Sequence, residues 1–216
     1  AERVAQRVLE RAILVDTHVD TPMLMLDEGY DLADPNSPFM ISIPKIRQGH
    51  LGAIFFSIWV QGRLAGDNTL RRAFDLIDVV YEQVERHSGA LALAQTAQDI
   101  VRIHQQGKVA ILMGLEGGHM IQKDLRLLDI YYRLGIRYMT LTHAAHTDWA
   151  DSSARSPRWN GLTELGRQVV ERINRLGMMV DVSHVSDKTF FDTLAVTKAP
   201  VIASHSSCRA LVDDPR

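Results

Sequence analysis

Ala12-Ile13-Leu14-Val15-Asp16-Thr17-His18-Val19-Asp20 is the stretch on which the choice of fold turns. Its apolar, β-branched start predicts a first strand over Ala12–Val15. A doubly wound nucleotide-binding sheet would follow that strand with a glycine-rich phosphate loop. Thr17-His18-Val19-Asp20 follows instead, so that fold loses support against a parallel barrel. Further apolar runs predict strands over Leu51–Val60, Val109–Leu115, Tyr138–Thr142, Met178–Ser183 and Val201–Ser204. Amphipathic spacing predicts helices over Glu2–Arg11, Thr69–His87, Thr96–Gln106, Gln122–Leu134, Leu162–Leu176 and Asp187–Leu194. Gly135 and Gly177 follow the last apolar positions of two of these, where helices commonly stop. Strands apolar at nearly every residue, alternating with helices, read as a parallel sheet covered by helices.

The chain has 216 residues, enough for a single domain with a full core. Lys+Arg 24 against Asp+Glu 26 gives a net charge of -2, which offers no basic footprint for nucleic acid or anionic membrane. No apolar run reaches the length of a membrane span. The only cysteine, Cys208, excludes an internal disulfide and leaves the compartment open: cytoplasmic, periplasmic or secreted. The start at Ala1-Glu2, without Met or an apolar signal core, fits a processed mature form or a trimmed piece of a longer chain. The long irregular stretch from Ala144 to Asn160 reads as a lid or rim.

Five of the six predicted strands end in a residue able to bind metal or move a proton. Strand one runs into His18-x-Asp20, and later strands run into Glu116, His143, His184 and His205. In an α/β barrel such ends converge on one mouth, where active sites are assembled from several strands. Strand parity aligns His184 with Val182 and Val180, His205 with Ala203 and Val201, and His18 with Asp20. Imidazoles and carboxylates facing inward are costly unless paired or metal-bound, and a mixed N/O set suits zinc, with manganese or cobalt as alternatives. His50, His87 and His104 lack this placement and read as surface or loop residues. Gly117-Gly118 turns His119 aside, and His146 reads as solvent-exposed or as a neighbour of the ligands. Asp16 and Asp181 stand just before ligand positions and fit either an orienting or a purely structural role.

Val15-Asp16-Thr17-His18-Val19-Asp20-Thr21-Pro22, Glu116-Gly117-Gly118-His119 and Arg137-Tyr138-Met139-Thr140-Leu141-Thr142-His143 resemble successive blocks of the membrane (renal) dipeptidase family of zinc peptidases. So do Asn174-Arg175-Leu176-Gly177, Asp181-Val182-Ser183-His184-Val185-Ser186 and Ala199-Pro200-Val201-Ile202-Ala203-Ser204-His205-Ser206-Ser207. The resemblance implies an α/β fold, the (β/α)8 TIM barrel of the amidohydrolase type, holding two zinc ions. It implies that His18 and Asp20 bind one metal, that His184 and His205 bind the other, and that Glu116 bridges them. His143 matches a histidine that contacts substrate and stabilises the oxyanion, and Arg216 an arginine that binds substrate. The implied reaction is hydrolysis of a dipeptide amide through a metal-bridging hydroxide, and a homodimer fits the family.

A complete barrel of this kind needs about 250 residues, and six β/α units are counted here. Residues 1–216 are therefore expected to form one hydrolase domain without its C-terminal strands, one of which carries the family's proton-transferring acid. Two alternatives stay open: an amidohydrolase acting on an acylated amino acid, a β-lactam or a cyclic amide, and a non-catalytic relative. The intact ligand set weighs against the second.

Overall fold

Residues that are apolar at nearly every position form the central strands, as expected for a parallel sheet buried on both faces. The computed structural model describes residues 2–9, 11–62 and 67–212. Its strands are β1 (Leu14–Val19), β2 (Leu51–Trp59), β3 (Leu91–Leu93), β4 (Val109–Glu116), β5 (Ile136–Thr140) and β6 (Met179–Asp181). All eight residues of β4 are buried, and so are the seven inner residues of β2. The strand order is β1-β2-β4-β5-β6, with β3 beside β4; the β1–β2, β3–β4, β4–β5 and β5–β6 pairs are all parallel.

The helices are α1 (Glu2–Leu9), α2 (Thr21–Glu28), α3 (Ile43–Gln48), α4 (Asp67–Arg86), α5 (Ala97–Gln105), α6 (Arg126–Arg133), α7 (Glu164–Leu176) and α8 (Asp187–Val196). Local chemistry sets several of their ends. Thr96 and Asp99 form a reciprocal capping box at the start of α5. Thr163 caps α7 by accepting from Gly166 N–H, and Gly177 closes it in left-handed backbone. α7 buries Gly166, Val169, Val170 and Ile173, the spacing of one helical face, and packs on β6 and α6.

The chain divides into two compact units. The first comprises Ala1–Ser57 with Asp75–Leu112, and its core includes Leu32, Ile46, Ile54, Phe56, Leu76 and Ile103. The second comprises Ile58–Phe74 with Met113–Arg216; Leu115, Tyr131, Tyr138, Trp149, Val170 and Ile173 are fully buried there.

Several elements depart from expectation for physical reasons. β1 begins later and continues through His18, and β4 includes Glu116, so both residues lie within strands rather than after them. β3, only three residues long, is too short for apolar patterning to mark. α2 and α3 are single short helices opened by prolines. β6 stops at Asp181, and the strand expected over Val201–Ser204 makes only one bridge, Asp181 to Ile202. Pro200, just before it, has no N–H to donate.

Candidate metal centre

In the first unit, His18 sits at an irregularity of the ladder. Asp16 pairs with Ile54 and Val19 with Phe56, so three steps along β1 match two along β2. Such an extra residue re-aims side chains, which strict alternation does not anticipate. Asp16 braces the turn by accepting from His18 N–H (3.1 Å). Asp20 is not extended (φ -84, ψ 10) and leads into α2, yet its Oδ1 lies 3.3 Å from His18 Nε2. The pair expected from parity therefore forms by a different route.

In the second unit, Glu116 ends β4 with its side chain buried. Gly117 follows at φ +113, where an added Cβ would also stand 2.6 Å from the His119 ring. A glycine is required there on both counts. A Cβ on Gly118 would meet the Trp149 indole at 2.4 Å. His119 is indeed turned away: its Nε2–H donates to the Val60 carbonyl (2.9 Å). Burial pushes its imidazole below the ordinary histidine range, outweighing that bond and the Glu116 charge, which raise it.

Three imidazoles converge on one oxygen of Glu116. Its Oε1 lies 3.1 Å from His184 Nε2, 3.4 Å from His205 Nε2 and 3.5 Å from His143 Nε2. The Nε2 atoms of His184 and His205 are 2.8 Å apart. The His143 ring also lies tilted against the His184 ring, with centroids 4.4 Å apart, and meets Trp59 edge-on at 5.5 Å. Glu116, His143 and His184 form a group compact enough to hold a cation, and by distance His143 is as eligible a ligand as His205.

His184 reaches this position against the expectation from parity. It stands three residues beyond β6 in left-handed backbone (φ 66). A non-glycine residue there needs support from its surroundings. Thr142 Oγ1–H and Ser153 N–H both donate to its carbonyl, each at 2.9 Å. The long loop takes part in this support, since Ser152 Oγ–H also donates to the His143 carbonyl. His146 stays within that loop, bonded to Ser152 N–H and the Ser156 carbonyl. Its anchor is Asp151, which accepts from the N–H groups of Arg158, Trp159 and Gly161.

A profile described as membrane dipeptidase (Peptidase family M19) matches residues 2–216. The chain belongs to the membrane dipeptidase family. It is 40% identical over 186 residues to dipeptidase tcpJ of Claviceps purpurea, covering 82% of this chain and 44% of that protein. It is 36% identical over 228 residues to dipeptidase verJ of Clonostachys rogersoniana, covering 98% of this chain and 59% of that protein. Among solved structures, the probable dipeptidase PvdM from Pseudomonas aeruginosa superposes with a TM-score of 0.89 at 29% identity, over 98% of this chain and 56% of that one. The chain thus spans about half the length of the family relatives it matches. The parallel sheet and this likeness agree with the α/β barrel fold of the family, about six of whose units are present. No described helix is long and apolar enough to cross a membrane.

The residues expected to bind metal or substrate thus include a His18–Asp20 pair in one unit and Glu116 with His143, His184 and His205 in the other. Arg216 lies outside the described residues. Spacing along the chain does not mark Thr142, Ser153, Asp151 or Ser204 as residues of the site. Small polar residues carry no spacing signal, and their partners are set by the tertiary path.

Proposed function

We propose that this chain carries the metal ligands of a dizinc dipeptidase. The observation that supports it most is the convergence of three imidazole Nε2 atoms on one buried carboxylate oxygen. Two of those nitrogens at 2.8 Å, facing one anionic oxygen, make a donor set whose chemistry fits zinc. His184 and His205 would hold one ion, His18 and Asp20 the other, and Glu116 would serve both. When bound, the zinc pair supplies Lewis-acid polarisation and hydroxide at neutral pH, by lowering the pKa of water to about 7.

The chain's own residues do the rest. Glu116 would contribute its negative charge to holding the cations. His143, more exposed than His184, would donate from Nε2 to the oxygen of the scissile carbonyl as charge develops there. Thr142 and Ser153 keep the His184 backbone in its unusual conformation. Arg216 is assigned the substrate carboxylate by family resemblance, which would favour dipeptides by reading a chain terminus. The names of the relatives favour a dipeptide over other amides.

The test is metal analysis of the full-length protein together with turnover of dipeptides, an N-acyl amino acid and a β-lactam. Two zinc ions per chain and preferential dipeptide turnover are expected. In Glu116→Gln zinc affinity and dipeptide turnover should both fall, and by more than the roughly 10–100-fold typical of losing an outer partner of a ligand. Unchanged metal content and turnover in that variant would sink the assignment. Preferential turnover of the β-lactam or the acyl amino acid would move the chain to another amidohydrolase class.

A further inference from the structure

We infer that Asp181 and Ser204 form a relay that fixes His205 as its Nδ1–H tautomer, so that Nε2 presents a lone pair rather than a proton to a metal. Asp181 is fully buried and collects four donors. Its Oδ1 accepts from the N–H groups of Ser183 and Ser204, both at 3.0 Å. Its Oδ2 accepts from Thr140 Oγ1–H and Ser204 Oγ–H, both at 2.6 Å. A carboxylate offers no proton in return, so the hydroxyl hydrogen of Ser204 is committed to Asp181. Ser204 Oγ also lies 2.7 Å from His205 Nδ1. With its hydrogen committed, Ser204 can only accept there, and the ring must supply the proton.

The second neighbour of Ser204 agrees with this polarity. Ser183 Oγ accepts from His205 N–H (3.2 Å) and Ser206 Oγ–H (3.3 Å), so its own hydrogen points to Ser204 Oγ (3.3 Å). Among these contacts each hydroxyl donates once and accepts twice. Reversing the His205 ring proton would set two lone pairs against each other at 2.7 Å. Metal-binding histidines commonly have the far nitrogen held in this way. Here an intervening serine makes the outcome depend on Asp181, which touches neither His205 Nε2 nor substrate. Asp181 and Ser204 are therefore positioning residues.

The inference rests on His205 being a metal ligand, and two measurements separate the two claims. The first is the 15N tautomer signature of His205 in metal-free full-length protein; the second is the zinc dissociation constant from chelator competition. Wild type and Ser204→Thr should show an Nδ1-bound proton and matching zinc affinity. Ser204→Ala should lose the single tautomer and bind zinc about 10–100-fold more weakly. Asp181→Asn is the decisive variant. Its amide would keep the two backbone N–H donors on oxygen and turn NH2 toward Thr140 and Ser204. Ser204 would then donate to Nδ1, and the His205 proton should move to Nε2, with zinc affinity falling at least as far. An Nε2-bound proton in the wild type, or an unaltered tautomer in folded Asp181→Asn, overturns the relay. Should Asp181→Asn not fold, equal zinc affinity and tautomer in Ser204→Ala and wild type overturn it equally. A wild type with the expected tautomer that binds no zinc leaves the relay standing and removes the metal reading.

Discussion

His184 Nε2 lies 3.1 Å from Glu116 Oε1, although the two residues leave the sheet in opposite manners. Glu116 is the last residue of β4, whereas His184 stands past β6 in left-handed backbone. The imidazole is thus delivered by a turn that L-residues rarely adopt. Asparagine tolerates that conformation far better than alanine. His184→Asn should therefore remain close to wild-type stability in the metal-free protein and lose zinc. His184→Ala should lose zinc and cost about 1–2 kcal/mol more in stability. Denaturant unfolding with metal analysis checks both.

His143 has the distance of a ligand and the exposure of a substrate contact. In the second role, His143→Ala should lower kcat about 100–1000-fold while zinc content stays at the wild-type level. Zinc lost in step with activity would make it a ligand instead.

Gly114 faces the buried ring of Tyr138, and an added Cβ would stand 2.0 Å from Cζ. The β4–β5 register shifts at this point, between Met113 and Gly114. Gly114→Ala should cost about 1–3 kcal/mol through overpacking, read as a lower denaturant midpoint. Adding Tyr138→Phe should bring no recovery, because the ring itself makes the clash.

Asp151 gives a pH signature. Burial pushes its carboxyl up, but the N–H groups of Gly161, Arg158 and Trp159, with the nearby His146, bring it below the ordinary carboxylate range. A depressed folded value means the stabilisation is present above the unfolded pKa of about 3.9 and is lost as pH falls through the folded one. Asp151→Asn should be less stable than wild type at pH 7 by about 1–3 kcal/mol. The gap should hold from pH 7 down to about pH 4 and narrow only below it, as unfolding curves carried down to about pH 2 would show.

The parts of this molecule that were legible in advance are those carried by continuous patterns. β2 and β4 announced themselves as unbroken apolar runs, and Glu116 was visible as the first charge after one of them. His18 and Asp20 were found by spacing even though a bulge, not alternation, brings them together. His184 was reached by parity through a strand that ends three residues too early for parity to apply. Three-residue β3 and the single-bridge segment at Ile202 fell below what periodicity resolves. Asp181 could be suspected of orienting something, but its four donors come from β5, its own turn and Ser204, and only folding brings these together.

The loop after β5 has a further consequence, in heat rather than in structure. Asp151 gathers three N–H groups from seven to ten residues ahead, and Ser152 and Ser153 fasten the same segment to the carbonyls of His143 and His184. Ordering a backbone residue costs about 1–2 kcal/mol of conformational entropy. For this segment that cost is met when the protein folds. A small ligand arriving beside His143 does not have this segment to freeze, so the segment should add no coupled-folding contribution to the calorimetric heat-capacity change of binding.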